Sequence, residues 1–390
     1  MSLNPWPERS ATAAYLHIPF CVRKCRYCDF VSFPGIDLAR QISYTTQLAE
    51  EIERTADQVR RGLLPLEQAP LQSVFFGGGT PSLLPADCLA RLLAQLSCRF
   101  GLTPDAEVTL EANPGTVTAD ALATCRQAGF NRISFGLQSA SPHLLKSLGR
   151  IHEADDFRHS VLLAAAAGFD RINADIMFGL PDQTEADIAD TLRLIFSLPV
   201  SHVSFYGLIL EEGTPLYDDY RLHPSRIHLP DDEQERSQYH LIRRLLAARG
   251  FEQYEISNSA LPGQQCRHNL VYWHGSSYYG FGVAAHSYLA GMRRANPATL
   301  EAYAGSWQPE LLERVSRDEG MKEMLLLGLR LIDGVAVADF IHRFGVSPFD
   351  RFDSELARLQ QRGLLILNPE RIRLSEIGLD LANQVFQVFV

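Results

Sequence analysis

Six short β-rich runs recur through the first half of the chain, at residues 14–18, 73–76, 107–110, 132–135, 171–177 and 202–208. Between them lie segments 38–59, 85–98, 119–128, 154–167 and 185–197, whose apolar residues fall three and four apart and so give a helix one apolar face. Strands alternating with amphipathic helices predict a parallel sheet with helical crossovers, either doubly wound or curled into a barrel. In both architectures chemistry gathers beyond the C-terminal ends of the strands.

After about residue 300 the rhythm changes. Segments 321–331, 337–344 and 349–362 carry helical spacing, 364–367 and 371–374 read as a hairpin turned at Asn368-Pro369, and a last helix starts at Glu376. The chain thus divides into an α/β core over 1–300, an incomplete (β/α)6 barrel, and a winged-helix-like α+β module over 301–390. Such a module raises a DNA-binding reading, an iron-sulfur winged-helix regulator, with a packing or partner domain as the alternative.

Composition narrows these options. With 390 residues, 46% of them hydrophobic, the chain can bury a large core. Its net charge of -10 lacks the clustered Lys and Arg that displace counterions from nucleic acid, and it disfavours an anionic membrane surface for the same reason. No apolar run approaches the length of a membrane span, and the first residues, with Pro5, Pro7, Glu8 and Arg9, do not read as a secretion signal. A cytoplasmic location is expected.

Seven cysteines are unevenly placed. Cys88, Cys98, Cys125 and Cys266 are scattered, which is unlike a secreted disulfide framework and reads mainly as helical thiols. Cys21, Cys25 and Cys28 instead crowd together in His17-Ile18-Pro19-Phe20-Cys21-Val22-Arg23-Lys24-Cys25-Arg26-Tyr27-Cys28, just past the first strand. A Cys-x3-Cys-x2-Cys loop directs three thiolates at one face of a cubane cluster and leaves the fourth iron open, with Arg23, Lys24 and Arg26 as nearby positive charge. Zinc is the competing reading. It wants a closed shell of four, and no second ligand pair lies nearby.

This spacing on the loop after the first strand resembles the radical S-adenosylmethionine (SAM) superfamily, as does the turn Gly77-Gly78-Gly79-Thr80-Pro81-Ser82. The strings Glu111-Ala112-Asn113-Pro114, Gly136-Leu137-Gln138-Ser139, Leu148-Gly149-Arg150 and Asn173-Ala174-Asp175 narrow the resemblance to its coproporphyrinogen dehydrogenase/HemW branch. The resemblance implies a radical SAM barrel with a 4Fe-4S cluster on Cys21, Cys25 and Cys28, and SAM chelated to the open iron and cleaved to a 5'-deoxyadenosyl radical. It further implies SAM contacts at Tyr15, Tyr27, Gly78, Gly79, Thr80 and Glu111, with Gln138, Arg150 and Asp175 completing the pocket. Arg150 suits a carboxylate of SAM or a porphyrin propionate. For any one such residue, a structural salt bridge is the alternative.

Two activities compete within the branch. Oxygen-independent coproporphyrinogen III oxidases carry a further cysteine two residues after the third, where this chain has Phe30, and a longer segment ahead of the cluster. Both departures favour the haem chaperones of the HemW group. The string Cys266-Arg267-His268-Asn269-Leu270-Val271-Tyr272-Trp273 contains the His-Asn-x-x-Tyr-Trp pattern which that resemblance associates with haem handling. His268 would ligate haem iron, with Cys266 the alternative ligand, and Tyr272 and Trp273 would offer flat apolar surface. Equally, His268 reads as a hydrogen-bonded core residue with the aromatics packed around it. The partners implied are haem or porphyrin, an electron donor for the cluster and a haem-acceptor protein, through which membrane contact would be transient. No nucleic acid is among them.

Overall fold

The computed structural model describes residues 5–390. All six expected parallel strands form: β1 (Ala13–Ile18), β2 (Leu71–Gly78), β3 (Leu102–Ala112), β4 (Arg132–Gln138), β5 (Arg171–Phe178) and β6 (His202–Gly207). They pair in chain order, with in-phase registers such as Ile18 opposite Gly78 and Gly136 opposite Asp175. Helices α1 (Leu38–Arg60), α2 (Ala86–Phe100), α3 (Ala119–Ala128), α4 (Ala154–Ala166) and α5 (Glu185–Phe196) make the crossovers. Local signals start them cleanly. Asp37 and Thr118 cap α1 and α3, and Thr184 with Asp187 forms a capping box on α5.

Three further strands extend this sheet. After α6 (Asp232–Ala247), the chain forms β7 (Glu252–Glu255) and β8 (Asn258–Ala260), of which β8 pairs antiparallel with β6 and β7 pairs antiparallel with β8; later β9 (Tyr279–Phe281) joins β1 in parallel on the opposite side. The sheet therefore runs β9-β1-β2-β3-β4-β5-β6-β8-β7 and stays open, with no closed barrel. Helix α7 (Arg267–Trp273) follows β8 and lies at the end where the parallel strands begin. The outer face of the sheet packs on the helices through Leu16, Val74, Ile133, Phe135 and Ile172, all fully buried.

A three-stranded sheet, His286–Leu289, Met292–Ala295 and Glu310–Arg314, runs across position 300. Beyond it, helices Arg317–Gly328, Val337–Phe344 and Asp353–Gln361 and the hairpin strands Leu365–Leu367 and Arg371–Leu374 enclose a separate apolar core around Leu325, Phe340, Leu359 and Ile372. Asn368 turns the hairpin as expected, its side-chain oxygen accepting from the backbone N–H of Glu370 and Arg371. One expected helix is broken: at Phe352 the backbone leaves the helical region (φ -127°, ψ 31°) as its ring packs edge-on against Phe340 and Phe389.

This C-terminal module is stitched to the core by backbone. Ile256 donates to the Arg330 carbonyl and Ile332 to that of Tyr254, which covers the free side of β7 at Glu255. Among the described residues no helix is long and apolar enough to cross a membrane.

Candidate functional site

The loop after β1 is fastened at several points. A two-residue strand, Phe20–Cys21, pairs with Phe33–Pro34, and the Gly79 and Thr80 amides donate to the carbonyls of Ile18 and Phe20. A side chain at Gly79 would come within 2.6 Å of the Phe20 carbonyl oxygen, so glycine is what allows the Gly-rich turn to lie on this loop. On the far side, the Arg26 amide donates to Leu148, and its guanidinium reaches the Ser147 carbonyl at 2.9 Å and pairs with Asp219.

The loop roofs a cavity of 410 Å³ at the C-terminal ends of the parallel strands. Cys21, Cys25 and Cys28 line one side, none of them in a disulfide. Tyr27, Gly78, Gly79, Glu111, Gln138, Arg150 and Asp175 line the rest, so ten of the residues singled out from sequence share one space. Thr80 sits behind it, its hydroxyl 3.8 Å from Cys21 Sγ and accepting from Asn113 Nδ2 at 2.7 Å. Tyr15 lies beneath, its hydroxyl 3.0 Å from His17 Nδ1. Asn113, Ser134, Met177 and Tyr206 also line the cavity and were not nominated. Strand alternation holds the only signal for them: Asn113 stands two past Glu111, and Ser134 two before Gly136.

Two carboxylates form the floor. Glu111 accepts from the Gly78 amide at 3.0 Å; Asp175 accepts from Ser134 Oγ at 2.9 Å and Asn173 Nδ2 at 2.7 Å. Neither has an ion-pair partner among the described residues. Burial, and then the neighbouring Asp175 charge, push the Glu111 carboxyl up to about 8. Burial likewise raises that of Asp175, against the pull of its hydrogen bonds.

Arg150 is held by the protein itself. Its Nη2 donates to Asn113 Oδ1 at 2.7 Å and to the Gly136 carbonyl, and Nη1 to Cys25 Sγ at 3.5 Å, while Nε is buried without a partner. Burial pushes the Cys28 thiol up to about 11 and raises that of Cys21. Cys21, Cys25 and Cys28 share one wall of the cavity and lie near enough to feel one another's charge. Three thiols spread along one wall suit a polynuclear cluster better than a lone zinc. Floor carboxylates with no ion pair among the described residues suit a ligand that brings an amino group. The donor set therefore fits a cluster with SAM beside it.

The remaining nominated residues lie elsewhere. His268 is buried on α7, its Nδ1 3.0 Å from Ser73 Oγ at the start of β2 and its Nε2 2.9 Å from the Tyr272 hydroxyl. Its amide donates to Glu107 Oε1, which Cys266 Sγ also approaches at 3.6 Å. Burial and then Arg132 push the His268 imidazole down to about 3, so it is neutral. Trp273 faces away under the Arg330 guanidinium, 4.4 Å from the ring centroid, and lines a second cavity of 320 Å³ between α7 and the C-terminal module. Neither His268, Tyr272 nor Trp273 reaches the thiol-lined cavity.

Residues 15–195 match the model of the radical SAM superfamily, and residues 315–381 that of the HemN C-terminal domain. The chain is 34% identical over 384 residues to the heme chaperone HemW of Bacillus subtilis, covering 97% of this chain and 99% of that one. It is 35% identical to HemW of Mycobacterium tuberculosis (100% and 97% covered) and 40% identical to HemW of Escherichia coli (70% and 68%). Among solved structures, coproporphyrinogen III oxidase (HemN) of Escherichia coli shares the fold, with a TM-score of 0.82 at 22% identity over 98% of this chain and 91% of that one.

Proposed function

The chain belongs to the HemW group of the radical SAM superfamily, and on that footing we propose that it is a haem chaperone, binding haem and passing it to an acceptor protein. Cys21, Cys25 and Cys28 hold the 4Fe-4S cluster, and the adjoining cavity holds SAM. Glu111 and Asp175 face the SAM amino group or ribose, the side-chain-free backbone of the Gly78-Gly79 turn lies along its wall, and Gln138 and Tyr27 close the sides. A cluster bound there supplies a one-electron donor to SAM. Arg150, tied to Cys25 and Asn113, orients the loop that carries the thiols and places a positive charge beside them.

Phe30 carries the choice between chaperone and oxidase. It is 63% exposed at the cavity mouth, where the oxidase pattern has a fourth cysteine. The partners are haem, an electron donor and an acceptor protein, and the setting is the cytoplasm, whose reducing conditions suit seven cysteines held outside disulfides.

Titration of the anaerobically reconstituted protein with haem tests this. A saturable Soret band, with no conversion of coproporphyrinogen III under reducing conditions with SAM, is the expected result. No Soret band at saturating haem refutes the chaperone reading, and turnover of coproporphyrinogen III establishes the oxidase in its place.

A further inference from the structure

His268 stands at one end of a column of rings that ends at the cluster loop. Its imidazole stacks on Phe75, with centroids 5.1 Å apart and planes 28° apart. Phe75 stacks on Tyr15 at 6.2 Å and 26°, and Tyr15 packs on His17 at 5.9 Å. His17 Nε2 donates to the Val31 carbonyl at 2.8 Å, which leaves Nδ1 to accept from the Tyr15 hydroxyl. Val31 lies three residues past Cys28. The column runs inside the sheet, where Ser73, Phe75 and Gly77 alternate inward on β2.

The column also abuts the cavity floor. A Cβ at Gly77 would lie 2.9 Å from both the Phe75 and Tyr15 rings and 3.0 Å from Glu111 Oε2, so rings and carboxylate meet with no space between them. At the lower end His268 is locked. A hydroxyl occupies each ring nitrogen, Phe75 covers one face and Tyr272 stands edge-on at 5.2 Å. Iron ligation would require one of those hydrogen bonds to break and a macrocycle to enter a packed interior.

We propose that His268 is a positioning residue for the SAM cavity and not the haem iron ligand: with Tyr272 and Phe75 it forms a floor that fixes Tyr15 and Glu111. This rests on the reading of the upper cavity as the SAM site. The histidine string then serves the far end of the sheet from where it lies, through packing.

The test uses the full-length, cluster-loaded protein and three variants, His268→Gln, Tyr272→Phe and Phe75→Leu. Haem binding is read from the Soret titration, SAM binding from equilibrium dialysis, and the seating of SAM from the change it makes in the EPR spectrum of the reduced cluster. His268→Gln and Phe75→Leu are expected to weaken SAM binding about tenfold or more and to blunt the EPR change, as loss of supporting contacts around a bound group does. Tyr272→Phe, which keeps the ring and its packing, retains most of the SAM affinity. All three keep haem affinity within about twofold. The proposal is overturned if His268→Gln or Tyr272→Phe abolishes the Soret band while SAM binding holds, or if Phe75→Leu, folded by circular dichroism, binds SAM as tightly as the parent. A parent protein that binds no SAM refutes the reading of the upper cavity itself, and the haem titration alone then decides whether His268 is a ligand.

Discussion

Glu111→Gln isolates what it means to bury a carboxyl group with no ion-pair partner. In the folded chain the group holds its proton up to about 8, whereas the unfolded chain releases it near 4.5. The folded state is therefore fully favoured below 4.5 and loses stability as pH climbs toward 8, because the unfolded state binds fewer protons across that window. At roughly 1.4 kcal/mol per unit, the loss by pH 7 is about 3 kcal/mol. Glutamine keeps the shape and an oxygen for the Gly78 amide, but carries no charge. Unfolding entropy for a chain of this size is on the order of 0.8 kcal/mol per kelvin, so the variant should melt about 4 °C higher at pH 7 and only about 1 °C higher at pH 5. Scanning fluorimetry of the cluster-free chain at pH 5, 6, 7 and 8 reads this directly. The same substitution removes the carboxyl that would give up its proton to face a SAM amino group and should weaken SAM binding about tenfold or more, giving a sturdier and less competent protein. A gap in Tm that stays flat across pH, or a variant that melts lower than the parent at pH 8, refutes the account of Glu111 as an unpaired buried acid.

Cys25→Ser should leave the chain folded, since the thiol lines an open cavity, while iron and sulfide assays on the reconstituted protein fall below the parent's content. Arg150→Lys keeps the charge but cannot reach Cys25, Asn113 and the Gly136 carbonyl together. A loss of about 1 to 3 kcal/mol in cluster-free stability by urea titration, and faster loss of iron to a chelator, are expected. Phe340→Ala empties the centre of the C-terminal core and should destabilise that module by about 3 to 5 kcal/mol. Hydrogen exchange should rise in residues 317–389, with the thiol-lined cavity still able to bind SAM.

Much of this architecture can be read from residue order because its parts announce themselves locally. The parallel strands carry an apolar outward face, as in Ile133, Phe135 and Leu137 or Ile172, Ala174 and Ile176, alternating with inward polar residues such as Ser134, Gln138, Asn173 and Asp175, a period of two that marks a strand in the sequence itself. The strands β7, β8 and β9 span only three or four residues, and Asn258-Ser259-Ala260 is polar yet fully buried, so periodicity has nothing to register. The cavity followed the same rule. Cys21, the Gly77-Gly78-Gly79 turn, Glu111 and Asp175 sit in strings at strand ends, where a short motif and its position coincide. Tyr206 becomes part of the site only through the register of neighbouring strands. The environment of His268 is set by Ser73, 195 residues away, a relation that no local pattern carries.

The two backbone hydrogen bonds that tie the C-terminal module to β7 also bear on how the molecule stays a single molecule. A nine-stranded open sheet ends in amides and carbonyls that are ready to pair with any extended chain they meet. Ile256 and Ile332 occupy that margin at Glu255, so the module acts as a selvedge that keeps the sheet from growing. Trimming the module away would put at risk not the cavity, which is built wholly from earlier residues, but the solubility of everything that surrounds it.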